Sequence, residues 1–183
     1  MMKKWGALSL SLALLGSTSI PASAFAAQSV SAPAEQAPEQ APEQEVELSP
    51  ELMEALDYAD RMDAIVKYED TAADAFNSIQ SVSESNRKSV YKTLNSVVVP
   101  NYSKFYYQLK QIKPTGKELV KIHSYYLQGA SLQLQGMELI KKSLYGSKIN
   151  WTTYKAGQAK LKSGKAKLNV FIGSFEKYMD GLQ

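Results

Sequence analysis

The chain has 183 residues, enough for one domain with a tail, and 44% of them are hydrophobic, enough for a sizeable core. It has no cysteine and one histidine, which excludes disulfides, thiol nucleophiles, Cys-ligated zinc and any multi-histidine metal site. The formal net charge of +3 is small, so bulk attraction to a polyanion is weak.

Lys3 and Lys4 precede a short apolar run from Trp5 to Gly16, and Pro21-Ala22-Ser23-Ala24-Phe25-Ala26 follows with small residues at alternate positions. This is the pattern of a signal peptide over residues 1–26, cleaved after Ala24 or, preferably, after Ala26. The apolar run is shorter than the ~20 residues of a membrane span. A retained signal anchor is the alternative. No cysteine is present for a lipid anchor, and no later segment is apolar enough to cross a bilayer. The expected location is therefore secreted or cell-wall associated. Residues 27–48 repeat Ala-Pro-Glu-Gln at 37–40 and 41–44. Proline at such short intervals among Glu and Gln predicts an extended, disordered acidic spacer that buries nothing.

Four helical segments follow. The first is predicted over 50–82, capped by Ser49, with Pro50 in its first turn and Glu51 at the positive end of the dipole. Its apolar stripe reads Leu52, Leu56, Ala59, Met62, Val66, Ala73 and Phe76, beside a heptad row of Tyr58, Ile65, Ala72 and Ile79. The seven-residue period implies left-handed supercoiling of coiled-coil type. The second segment is predicted over 86–112, on the stripe Val90, Leu94, Val97, Asn101, Phe105, Leu109 and Ile112. Pro100 lies opposite that stripe, so a kink facing solvent is expected there, with a break into two helices as the alternative. Thr115-Gly116-Lys117-Glu118 reads as a capping box for the third helix, which ends at Gly146. Its polar face is narrow, so it should be the most buried of the four. The fourth runs over about 151–181 with Asn150 as cap. Similar lengths and short connections predict an all-α, left-handed, up-down-up-down four-helix bundle with a kinked second helix, occupying 49–183.

Gly129 and Gly136 are seven residues apart, as are Gly157 and Gly164. A hairpin turning between Gly146 and Ser147 sets 129 opposite 164 and 136 opposite 157. Glycine costs ~1 kcal/mol in a helix interior, so a close approach of the third and fourth helices is expected at these pairs.

Charge is segregated along the chain. Residues 27–84 carry 14 acids and 2 bases, while residues 85–183 carry 17 bases and 4 acids. One reading is internal pairing of the acidic first helix with the basic second and fourth. The other is a basic outer face built by Lys155, Lys160, Lys162, Lys165 and Lys167, open to an anionic cell-wall polymer or to headgroups. Tyr102, Tyr106, Tyr107 and Tyr125 flank the Lys113-Pro114 turn and are candidates for a partner surface.

Chemistry is sparse. His123 reads as a hydrogen-bonded core histidine with no nucleophile at a catalytic spacing. Glu54, Asp57, Asp60, Asp63, Glu69, Asp70 and Asp74 read as a solvated face, without an EF-hand loop or the Glu-x-x-His of di-iron bundles. The sequence therefore points to no catalytic residue, no metal ligand and no cofactor, and it carries no nucleic-acid-binding motif.

Pro100-Asn101-Tyr102, Leu109-Lys110-Gln111-Ile112-Lys113-Pro114, Glu118-Leu119, His123, Tyr126, Gly129 and Gln133 together resemble small exported helical proteins of spore-forming Gram-positive bacteria. That resemblance implies a helical fold and export, and no activity. Many of those proteins resemble lipoproteins, from which the missing cysteine departs. The expected function is an exported, non-enzymatic helical module that binds a protein partner or an anionic envelope component. The alternative is a bundle using helix carboxylates or His123 for metal binding or catalysis.

Overall fold

The structure is a computed structural model that describes residues 48–182. The expected signal peptide, and all of the expected spacer except Leu48, lie outside the described residues. The elements are α1 (Pro50–Asn77), α2 (Arg87–Thr93), a π-helical turn (Leu94–Val98), α3 (Val99–Leu109), α4 (Lys117–Ser143) and α5 (Trp151–Asp180). No strand occurs among the described residues.

α1 starts as its sequence dictates. The Ser49 side chain accepts a hydrogen bond from the Leu52 amide at 3.2 Å, and Pro50 stands in the first turn. It ends at Asn77, earlier than predicted. From Ser78 onward the side chains offer the backbone other partners: the Ser83 amide donates to Asn86 Oδ1 at 2.8 Å, and Asn86 Nδ2 donates to Ser81 O at 2.9 Å. Such local bonds compete with the helical ladder and win where no apolar stripe holds the helix.

The buried residues of α1 are Ala55, Tyr58, Met62, Ile65, Glu69, Ala72 and Phe76. They alternate three and four apart, a strict heptad seam. The core row is thus the predicted Tyr58, Ile65, Ala72 row joined by Met62 and Phe76, and Leu56 is left exposed. A carboxylate, Glu69, occupies a seam position.

The second segment keeps its axis of burial by changing its winding. Val90, Leu94, Val98 and Tyr102 are all buried and each is four residues from the next. In an α-helix a strict spacing of four drifts by about 40° per step. The wider π turn absorbs that drift. It sits just before Pro100, and the Val99 amide bonds to the Leu94 carbonyl, five residues back. Pro100 has no N–H to offer Ser96 O, so the wider turn forms where the ordinary ladder is already broken. Pro100 itself is exposed, as its place on the helical wheel predicts.

α4 buries eleven of its 27 residues, more than α1 or α5. α5 is capped by Asn150, whose side chain accepts from the Thr153 amide at 3.0 Å. α4 and α5 make the closest helix pair, and the glycines are the reason. A Cβ at Gly157 would stand 2.8 Å from Gly136 O, one at Gly136 would stand 2.9 Å from Gly157 O, and one at Gly164 would stand 2.9 Å from Gly129 O. Backbone rests on backbone at the two levels the spacing predicts. Leu161 and Leu168 fill the space beside Gly136 and Gly129.

The α4 N-terminus departs from the sequence reading. No capping box forms there. Gly116 takes the cap position without a side-chain bond of its own, and Glu118 instead lies 3.6 Å from Lys121 at the surface. The cap comes from α1: the Glu54 carboxylate accepts from the Thr115 amide, the Thr115 hydroxyl at 2.7 Å and the Gly116 amide at 2.9 Å. A Cβ at Gly116 would fall 2.5 Å from Glu54 Oε2, so a larger residue there would make the carboxylate shift. At the other end, the Arg87 guanidinium donates to Leu144 O at 2.6 Å and Glu84 accepts from the Ile149 amide at 3.0 Å, which ties the α1–α2 connection to the α4–α5 turn.

Candidate functional site

The lysines singled out in the sequence lie along α5. Lys155, Lys162 and Lys165 are exposed, and Lys160 and Lys167 are half-buried at the edge of the apolar stripe. Lys167 places its ammonium 5.9 Å from the centre of the Tyr125 ring. Among the described residues the ion pairs are Arg61–Asp57, Arg87–Glu84 and Lys121–Glu118, each three or four residues apart in the chain. None joins the acidic α1 to a basic helix. Among the described residues the ion pairs that charge segregation offers between helices are therefore not formed, and the α5 lysines have no carboxylate partner there.

The four tyrosines separate. Tyr107 is 63% exposed, whereas Tyr106 and Tyr125 are half-buried. Lys110 lies 5.0 Å from the Tyr106 ring. Tyr102 is fully buried, which corrects its assignment to a surface. The cause is the π turn: an uninterrupted α-helix directs Asn101 inward, and the wider winding substitutes Tyr102. A surface pairing absent from the sequence reading joins α1 to α3, where Lys104 lies 4.2 Å above the Tyr68 ring. That contact and its hydrogen bond hold the Tyr68 hydroxyl below its ordinary range.

The core carries polar chemistry of its own. The Tyr58 hydroxyl and His123 Nδ1 share a buried hydrogen bond of 3.0 Å, and His123 Nε2 has no partner. Burial, with Lys113 nearby as a second cause, pushes the imidazole down to about 4, so it is neutral at physiological pH. Burial alone raises the Tyr58 hydroxyl well above its ordinary value. Three turns along α1, Glu69 is buried and accepts from the Tyr126 hydroxyl at 2.8 Å. Desolvation lifts its carboxyl to about 7, against the lowering effect of that hydrogen bond. Tyr102 stands against the same carboxyl, which raises its hydroxyl further, yet that hydroxyl makes no hydrogen bond of good geometry. Phe171 stacks on Tyr126 at 4.4 Å and Phe175 lies 5.6 Å from Tyr58, so α5 meets both sites with aromatic rings.

Glu69 and Glu54 thus leave the solvated acidic face to which the sequence assigned them. Glu69 was detectable as a carboxylate in step with Met62, Ala55 and Phe76 at heptad spacing. Glu54 was not, because its partner is 61 residues away. Gln133, also buried, donates from Nε2 to Leu161 O at 3.0 Å across the α4–α5 seam and leaves its Oε1 unpartnered.

No three His, Asp or Glu side chains converge to hold a metal ion among the described residues, which leaves the metal-binding alternative without a donor set there. A void between Phe76, Val90, Leu94 and Ile140 measures about 10 Å³, the room of one water-sized sphere. No helix among the described residues is long and apolar enough to cross a membrane. Comparison with protein families, with curated proteins and with solved structures finds no match.

Proposed function

We propose that this chain is an exported, non-enzymatic helical module that binds an anionic cell-envelope polymer through the outer face of α5. The observation that carries the reading is the row Lys155, Lys162 and Lys165, exposed and without carboxylate partners among the described residues, with Lys160 and Lys167 at the other edge of the apolar stripe. Exposed ammonium groups on one helix attract phosphate- or carboxylate-bearing polymers over about a Debye length, ~8–10 Å at physiological ionic strength. Tyr125 beside Lys167, with Tyr106 and Tyr107 toward the same end of the chain's helices, adds rings suited to stacking. The module has the arrangement of a left-handed up-down-up-down four-helix bundle bent at Pro100, and residues 27–48 act as the spacer that holds it away from the surface.

Replacing Lys155, Lys160, Lys162, Lys165 and Lys167 together by Gln tests this reading. The wild-type chain is expected to sediment with purified Gram-positive cell walls at low salt and to be released by about 0.5 M NaCl, where the screening length falls to a few Å. The five-fold variant is expected to stay in the supernatant. Equal retention of both sinks the reading. Retention that survives removal of anionic polymers from the walls points instead to a protein partner.

A further inference from the structure

We propose that the Tyr58–His123 and Glu69–Tyr126 contacts are a pair of opposed proton latches that hold α1 on α4 with constant strength from acid to neutral pH. Both contacts join α1 to α4, and both bury an ionisable group away from any opposite charge among the described residues. His123 faces the Tyr58 hydroxyl on α1, Lys113 in the turn before α4, and the Phe175 ring from α5 through Tyr58. Among the described residues no carboxylate reaches it, and an imidazolium would place a charged N–H at Nε2, which has no acceptor there. Glu69 faces Tyr126 on α4, Tyr102 on α3 and its own neighbour Asp70, with Phe171 of α5 stacked behind Tyr126. No cation among the described residues reaches it. Each latch therefore closes best on the neutral form of its group: the base without its proton, the acid with it.

The two requirements oppose each other. Docking α1 expels a proton from His123 and takes one up on Glu69. The folded carboxyl value of about 7 lies above the ordinary 4.5, so its contribution is complete below 4.5 and is lost as pH rises through 7. The folded imidazole value of about 4 lies below the ordinary 6.5, so its contribution is complete above 6.5 and is lost as pH falls through 4. Between 4.5 and 6.5 the proton released at one latch matches the proton bound at the other. Had the two side chains met, they would have formed an ordinary ion pair. The latches diverge along α1, where Tyr58 and Glu69 stand eleven residues apart, and converge on α4, where His123 and Tyr126 stand one turn apart.

Urea unfolding of the full chain between pH 4.5 and 6.5 tests the proposal, each variant being compared with wild type so that surface carboxylates cancel. Glu69→Gln leaves only the imidazole latch, and its stability relative to wild type should rise with pH, by about 30-fold in the unfolding constant over the interval. His123→Gln leaves only the carboxyl latch and should tilt the profile by a similar factor the other way. The double variant should run parallel to wild type again. Single variants that both parallel wild type, or that tilt in the same direction, overturn the proposal. If a variant does not fold, carbon-13 shifts of the Glu69 carboxyl and His123 ring in the wild-type chain decide. Midpoints near 7 and near 4 support it, and midpoints near 4.5 and 6.5 overturn it.

Discussion

The α4–α5 seam and the face where α1 docks are both helix contacts, but they are built from opposite materials. The seam is glycine against glycine, with carbonyl oxygens where side chains would stand and Leu161 and Leu168 closing the gaps. The α1 face is tyrosine, histidine and a carboxylate, joined by bonds of 2.8 and 3.0 Å. Backbone contact is independent of pH and tolerates no added atom. A polar face accepts small changes of shape but depends on the protonation of each member. The difference separates two ways of specifying a register: by exclusion of volume in the seam, and by pairing of polar groups on α1.

The seam is the place where the largest loss is expected. Gly136→Leu would drive a side chain into Gly157 O and Leu161, and should cost about 3 kcal/mol by overpacking. Thermal melts would register this, and a melt equal to wild type would remove the seam from the account. Even Gly164→Ala should destabilise, by about 1–2 kcal/mol, because its methyl would lie 2.9 Å from Gly129 O. The better helix propensity of alanine, worth ~1 kcal/mol, does not offset a backbone contact that cannot move aside.

On the α1 face the expected sign reverses with conditions. At pH 8, above the folded value of about 7, Glu69 is ionised and its burial opposes folding. Glu69→Gln should then raise stability by about 2 kcal/mol in urea titrations, with a smaller gain at pH 5, where the carboxyl is neutral in the fold. A gain that is equal at both pH values would show that the carboxyl titrates normally.

Glu54→Ala should cost about 1 kcal/mol, the ordinary loss of a helix cap, although the residue sits on a different helix from the one it caps. Glu118→Ala should change stability by less than about 0.5 kcal/mol, since it retains only a surface pair with Lys121. Chemical denaturation of the two variants side by side distinguishes them. A larger loss from Glu118 would restore the capping box that the sequence implies and remove the cap supplied by Glu54.

Local patterns and fixed spacings were legible in the sequence. Ser49 and Asn150 cap the helices they precede, since a cap needs only its own first turn. The paired glycines gave the α4–α5 register, because in a hairpin the turn alone decides which residues meet. His123 was legible as a core histidine from its place beside the apolar stripe. Tyr102 was not, because the wider turn at Leu94–Val98 turns Val98 and Tyr102 inward in place of Val97 and Asn101 while Phe105, Leu109 and Ile112 stay on the buried stripe, and no residue in that stretch announces a π turn except through Pro100. Lys155, Lys162 and Lys165 could be placed away from the apolar stripe by spacing alone, while their lack of carboxylate partners among the described residues could not.

The amino-acid sequence by itself determined the all-helical class, the caps within each helix and the glycine levels of one hairpin, since these depend on neighbours within a few turns or on a single loop. Only the tertiary structure decided which charges are paired, which are buried and which helix caps which. Glu54 and Glu69 lie 15 residues apart on one acidic helix and look alike in the sequence. One ends on the amides of another helix and the other beneath two tyrosines, because their partners arrive from chain segments 30 to 60 residues away. Burial and pairing are properties of that encounter, and no local pattern encodes them.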